Sequence, residues 1–293
     1  MFREATGDDD EAGQNVGVLL TLSPSKTLAP VPENGVCEPP LPGKIAPTEP
    51  RLLDDSERLV KRLRRFSKAN LAELMGVSES LAELNHARFR DWSRPFTDEN
   101  SLPAVRAFRG DVYDGLAADD WTADDLAFAQ PRVRILSGLY GALRPLDRIQ
   151  PYRLEMGTRF PKATKANPGT LYEFWGDRLE SLLKEDLAAL DDEPIVLDLA
   201  SREYAKAAPL PGVHVVTPAF KEEKADGPPR IVALFAKRAR GAMARWVVKE
   251  RATTLDRLLE FDALDYRYRP DLSKPTAPVF TRRSDGVRRR PGT

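Results

Sequence analysis

Three separate stretches of this chain place hydroxyls, cations and carboxylates close enough together to do chemistry. In SPSKT (23–27), Ser23, Ser25 and Thr27 supply hydroxyls and Lys26 an ammonium, directly after the apolar run VGVLLTL. That is the carboxyl end of a predicted strand, where α/β sheets place their ligands. Lys26 is suited to a phosphate or a carboxylate there. The segment lacks the glycines of a phosphate-binding loop, and a plain turn with Pro24 setting its geometry is the competing reading. In LDLASREYAKA (197–207) a strand turns into a helix at Ser201, with Glu203, Tyr204 and Lys206 just beyond. The start of a helix leaves backbone N–H groups free, so this is a further candidate wall of one cleft. The third stretch, LSGLYGALRPLDRIQPYRLEMG (136–157), has no clean period and carries Arg144, Asp147, Arg148, Arg153 and Glu155 between glycines and prolines. Irregular segments within a compact chain often form sites. The planar fork of arginine grips phosphate in two places, while an Arg144–Asp147 pair that only holds the loop is the alternative.

Cations also gather on helical patterns. Residues 237–251 carry six bases against one acid. At helical spacing Arg238, Arg245 and Lys249 project within about a 40° arc, whereas Ala239, Met243, Trp246 and Val247 face the other way and are expected in the core. Lys237 and Arg240 belong to the same segment. A basic ridge on an anchored helix suits phosphates along a groove; a solvated face neutralised by nearby acids is the bland reading. KRLRRFSK (61–68) adds a second such ridge. NLAELMGVSESLAELN (70–85) predicts two helices around a turn at Gly76, where glycine tolerates positive φ, with Ser78 capping the second. Glu79, Glu83 and Asn85 are poor readers of base edges. An ordinary αα-corner is the competing account, and sequence-specific reading is not expected from it.

Strands and helices must position these groups. Val16–Leu22 reads as a buried strand, 29–50 as a proline-rich surface connection, and Asp54–Arg65 as a helix with an Asp54/Glu57 capping box. Helices are expected at Asn70–Met75, Glu79–Asp91, Leu171–Leu190 and Lys237–Glu250. Residues 124–144 mix helix with loop. Short β-rich runs are expected at Ile195–Leu199, Val213–Val216, Arg230–Phe235 and around Phe280. The interleaving favours a mixed α/β (α+β) core with a central mixed sheet and surrounding helices.

The 293 residues hold 45 basic and 45 acidic side chains, with five acids against one arginine in residues 1–15 and five arginines among the last thirteen. The expected organisation is a disordered acidic tail (1–15), one domain (16–283) and a disordered basic tail (284–293). No apolar run approaches the roughly 20 residues that cross a bilayer, and the N-terminus lacks a signal-peptide pattern, so no membrane partner is expected and the cytoplasm is the expected compartment. Cys37 is the sole cysteine, and His86 and His214 are the sole histidines. These ligands cannot complete a four-coordinate zinc set, so neither a metal nor another cofactor is expected.

SPSKTL (23–28), FRGDVYDGL (108–116), LSGLYGALRPLDRIQPYRLEMG (136–157), LYEFWGD (171–177), LASREY (199–204) and AKRARGAMARWV (236–247) occur in an order that resembles the YaaA (UPF0246-type) family of peroxide-stress proteins, over about residues 16–283. The resemblance implies a cytosolic protein of the oxidative-stress response that limits free iron and so lessens damage to DNA. It further implies binding of duplex and distorted DNA through a positively charged cleft and a helix-hairpin-helix element, which falls on 70–85 with Ser78 in place of a second hairpin glycine. It carries over no catalytic residue.

Two readings follow. In the first the protein binds DNA, duplex or distorted, with little sequence preference. Ser23, Ser25, Lys26, Thr27, Arg144, Arg153, Lys206, Lys237, Arg238, Arg240, Arg245 and Lys249 are its candidate phosphate contacts. In the second it is an enzyme on a nucleotide, nucleobase or phosphorylated small molecule, with Glu155, Tyr204 or Lys26 as acid or base. A pocket holding these groups together favours the enzyme; an open basic groove favours DNA.

Overall fold

The computed structural model describes residues 17–283 except 34, 162, 163, 165, 166, 191–193, 225 and 226; the predicted tails at 1–15 and 284–293 lie outside the described residues. The frame is a five-stranded mixed sheet in the order Gly141–Leu143, Val133–Ser137, Val18–Leu22, Ile195–Asp198, Val215–Val216. The last four strands are mutually parallel, and Gly141–Leu143 turns back antiparallel on its neighbour. Val18–Leu22 lies at the centre and is buried along its whole length, which is why it reads as a continuous apolar run rather than an alternating one. Because it runs parallel to Ile195–Asp198, SPSKT and LASREY leave the sheet at the same edge.

Helices cover this sheet. The helix expected at 54–65 is Leu53–Leu63, but it starts without a capping box: Leu52 is the N-cap and no side chain caps it. Asp54 is drawn instead to Arg94 (2.6 Å) and Glu57 to Lys61 (2.6 Å), so ion pairs take up the carboxylates that the motif would need. Lys68–Met75 and Glu79–Asp91 form the expected pair, with Gly76 left-handed at φ 58° and the Ser67 and Ser78 hydroxyls accepting from Asn70 and Leu81 N–H. The predicted helix 171–190 is two helices, Leu171–Trp175 and Arg178–Ala188, divided where Gly176 adopts φ 52°. The β-rich reading of 230–235 is corrected: Arg230 makes only an isolated bridge to Glu222, and the helix Ala233–Glu250 has already begun. Within 124–144 stands the helix Ala123–Arg132, followed directly by a strand.

The helix Ala233–Glu250 packs on Asp111–Leu116 at a crossing that only glycine permits. A Cβ on Gly241 would meet the Val112 carbonyl oxygen at 1.7 Å, and one on Gly115 would meet that of Arg238 at 2.0 Å. Ala239, Met243 and Val247 are buried as expected; Trp246 is half-buried, with its ring edge-on to Phe261. A second, three-stranded sheet of Ala219–Glu223, Val279–Arg283 and Arg267–Tyr268 encloses an aromatic cluster of Phe220, Phe261, Tyr266 and Phe280. Several buried ions among the described residues are matched. Arg134 and Arg51 hold Asp186 at 2.6 and 2.7 Å, and Arg282 holds Glu222 at 2.9 Å. Pairing of this kind keeps a buried charge tolerable.

Candidate functional site: a mixed-charge cleft at the carboxyl edge of the sheet

The two central strands are sewn together where they end. The Thr21 hydroxyl donates to Asp198 (2.7 Å), Leu199 N–H to the Thr21 carbonyl (3.0 Å), and Ser201 N–H to the Ser23 hydroxyl (2.8 Å). Ser25 accepts from Thr27 N–H at 3.1 Å and shapes the turn. Gly110, at φ 100°, lies against it: a Cβ there would stand 3.3 Å from the Ser25 hydroxyl. Thr27 itself continues as a short strand paired with Arg109. Ser23, Ser25 and Thr27 are therefore engaged in building the loop that presents Lys26.

Lys26 reaches Glu155 at 2.8 Å, and Arg153 holds the other oxygen of the same carboxylate at 3.0 Å. These three side chains surround a small recess, about 60 Å³, lined also by Ser25, Tyr152, Glu203 and Tyr204. Tyr152 and Tyr204 are buried, and burial pushes both phenols well above their ordinary range, so neither is a base near neutral pH. Arg153 Nε is buried without a partner among the described residues. Asp198 beneath is pushed up by burial, which outweighs its bonds from Thr21 and Ala200 N–H and the nearby charge of Arg240. Burial conversely lowers Arg240, whose guanidinium lies beyond ion-pair distance of Asp198.

A cleft of about 860 Å³ adjoins the recess, and Glu155 and Glu203 line both. One wall runs from Phe66 along the first helix of the pair, through Asn70, Glu73, Leu74 and Met75, to the turn at Gly76; the other is formed by Glu155, Gly157, Thr158, Arg159 and Phe160 with Glu203. Gly157 N–H donates to Glu203 at 2.8 Å and fixes that carboxylate at the boundary. Beside it, Tyr172 donates to the Glu203 carbonyl (3.0 Å), Lys206 sits 4.9 Å over the Tyr172 ring, and the charge of Arg159 acts on the same phenol. Arg159 and Lys206 are exposed and have no carboxylate within ion-pair distance among the described residues.

The sequence-predicted cations divide into two groups. Lys26 and Arg153 line the recess, and Lys206 stands over Tyr172 beside Glu203. Lys237 and Arg238, both exposed, lie on the adjoining end of the long helix, where Lys237 approaches Asp111 at 3.8 Å next to Gly110. Arg245 and Lys249 lie elsewhere: Lys249 is about 18 Å farther along the same helix than Lys237, and both are claimed by acids. Arg245 forms a two-pronged pair with Asp120 (2.6 Å each), and Lys249 bonds Asp125 at 2.7 Å. Arg144 is likewise occupied. It bonds the fully buried Asp147 at 2.8 and 3.0 Å, and Asp147 also accepts from Thr48 at 2.6 Å. Arg159 was not among the sequence-predicted site residues, whereas Glu203 belongs to the predicted wall at Ser201 and Asn70–Gly76 to the segment 70–85 expected as a helix-hairpin-helix element. Arg159 stands alone in an irregular stretch, so no periodic signal marks it.

Among the described residues no group of three or more His, Cys, Asp or Glu side chains is placed to hold a metal ion, and no helix is long and apolar enough to cross a membrane. The profile of the family described as "Peroxide stress protein YaaA" matches residues 18–272. Proteins named "UPF0246 protein" from Cellvibrio japonicus and Dechloromonas aromatica are 46% and 48% identical to this chain over 268 and 269 residues. These alignments cover 90% and 91% of this chain and 98% and 99% of the relatives. A further UPF0246 protein, from Idiomarina loihiensis, is 43% identical over 270 residues, 90% of this chain and 98% of its own. With the match running from the central strand past the last helix, and relatives aligned almost end to end, this chain belongs to the peroxide stress protein YaaA family.

Proposed function

We propose that this chain serves the peroxide stress response by binding DNA, duplex or distorted, across the cleft at the carboxyl edge of its sheet. In the cytoplasm this binding, together with a limit on free iron, would lessen oxidative damage to DNA. One observation carries the reading. The helix Lys68–Met75 and Gly76 of the αα turn form one wall of the cleft and Arg159 stands on the other; Lys26 lines the recess beside it, and Lys206 sits over the Tyr172 ring next to Glu203. In that arrangement the turn acts as a helix-hairpin-helix element. The Ser78 hydroxyl takes Leu81 N–H, while the amides of Glu79 and Ser80 have no acceptor within the helix, and such groups suit a phosphate oxygen. Lys237 and Arg238 extend the cationic strip past Gly110. Arg144, Arg245 and Lys249 contribute little, because carboxylates hold them and their side chains are largely covered, whereas Lys26, though paired with Glu155, keeps most of its side chain exposed.

About three to five phosphate contacts give a log K against log salt slope of roughly −3 to −4. Duplex affinity measured from 50 to 200 mM salt should therefore fall about a hundredfold. A flat plot would remove the phosphate-contact mechanism.

The enclosed recess of Lys26, Glu155, Arg153 and Tyr204 favours a second reading, an enzyme acting on a nucleotide, nucleobase or phosphorylated small molecule. Lys26→Ala and Glu155→Gln separate the two when peroxide survival and DNA affinity are measured side by side. Loss of survival with unchanged binding would select chemistry over binding.

A further inference from the structure

The lining of the large cleft differs from what phosphates alone require. Glu73, Glu155 and Glu203 line it against one lining cation, Arg159. Carboxylates repel a phosphodiester and accept hydrogen bonds, so they call for a partner rich in N–H donors. Glu155 and Glu203 are held in place by Lys26, Arg153 and Gly157 N–H, and an ionised carboxylate retains acceptor capacity after such bonds. On the facing wall Phe66, Leu74 and Met75 are half-buried and present apolar surface to the same space. A planar heterocycle satisfies both walls. Its faces pack on aromatic and apolar side chains, and its amino edge donates to a carboxylate. The cavity of about 860 Å³ falls within the size range of small-ligand sites.

We infer that the cleft holds a single unpaired nucleotide of the bound strand, its base between the Phe66–Met75 wall and the Glu155 and Glu203 carboxylates, its phosphate on Arg159. This rests on the DNA-binding reading and adds to it a base pocket. The pocket selects bases that carry an exocyclic amino group, and it gives an unpaired site an advantage over intact duplex. A base lifted from the stack costs least where it is already unpaired.

The test uses the full chain and duplexes identical except at one central position: fully paired, a bulged cytosine, or a bulged abasic residue. The cytosine bulge is expected to bind about tenfold more tightly than either of the others, one good base contact converted to affinity. Glu155→Gln and Met75→Ala are expected to remove that advantage, so that each variant binds the cytosine and abasic bulges with equal affinity. Equal affinity for cytosine and abasic bulges, with the paired duplex still bound, overturns the pocket and leaves the DNA-binding reading standing. Failure to bind any of the three overturns both. Saturable binding of free deoxycytidine monophosphate without binding of any duplex overturns the strand-bound form and assigns the cleft to a free nucleotide.

Discussion

Replacing Gly241 by alanine tests the packing on which the cationic strip depends. From helix propensity alone, alanine in the middle of Ala233–Glu250 should stabilise the protein by about 1 kcal/mol. The crossing with Asp111–Leu116 reverses that sign. A Cβ at 241 would lie 1.7 Å from the Val112 carbonyl oxygen and 2.7 Å from Leu116 N. Both are backbone atoms, so no rotamer change relieves them. Restoring ordinary contact requires the helices to separate by roughly 1.5 Å, which strips packing from both partners. Overfilling a close-packed core typically costs about 1–3 kcal/mol, and a backbone-on-backbone clash belongs at the upper end, so the net expectation is a loss of about 2–3 kcal/mol. At about 2–4 °C per kcal/mol for a chain of this size class the melting temperature should drop by roughly 5–10 °C. Urea unfolding should show a lower midpoint at unchanged slope. Because the same helix carries Lys237 and Arg238 beside Asp111, duplex affinity should weaken too. A variant as stable as the parent, or more stable, would refute the packing argument.

Removing one cation at a time separates the two groups. Lys26→Ala, Arg159→Ala and Arg238→Ala should each flatten the salt slope for duplex DNA by up to about 1, whereas Arg245→Ala and Lys249→Ala should leave it unchanged. Arg144→Ala should act on stability instead: it strips the main ion partner from the fully buried Asp147, and breaking such a pair costs about 3 kcal/mol, read as a lower urea midpoint. Acid should destabilise the protein through Asp125. Burial raises its pKa, but the bond from Lys249 and the Thr122 cap outweigh burial and hold the carboxyl down at about 2. A carboxyl held below its unfolded value contributes stability that is complete above pH 4–5 and fades as pH falls toward 2, by roughly 2 kcal/mol. Asp125→Asn should remove that part of the unfolding-versus-pH curve and leave the rest.

The features legible in the sequence are those set by neighbours along the chain. The apolar run marks the central strand Val18–Leu22 because both faces of that strand are buried, and Gly76 with Ser78 marks the helix pair because turn and cap are local chemistry. SPSKT and LASREY could be assigned to one sheet edge from the α/β pattern, and the parallel pairing of their strands puts them there. What the sequence leaves hidden depends on distant partners. The ridge of Arg238, Arg245 and Lys249 is uniform in sequence, yet Asp120 and Asp125, more than a hundred positions away, neutralise its far end and leave its near end free. Asp54 with Glu57 looks like a capping box until Arg94 and Lys61 draw the carboxylates away. Gly241 sits inside a strong helical pattern, and a glycine there signals close backbone approach; that signal would have located the helix crossing.

Amide hydrogen exchange with and without duplex DNA tests most directly whether the cleft is where the nucleic acid lies. Protection is expected at the Gly76–Leu81 turn and at Glu155–Phe160, with the Asp120 and Lys249 region unaffected. Protection confined to that region, or no change at the cleft in a saturated complex, would contradict the account.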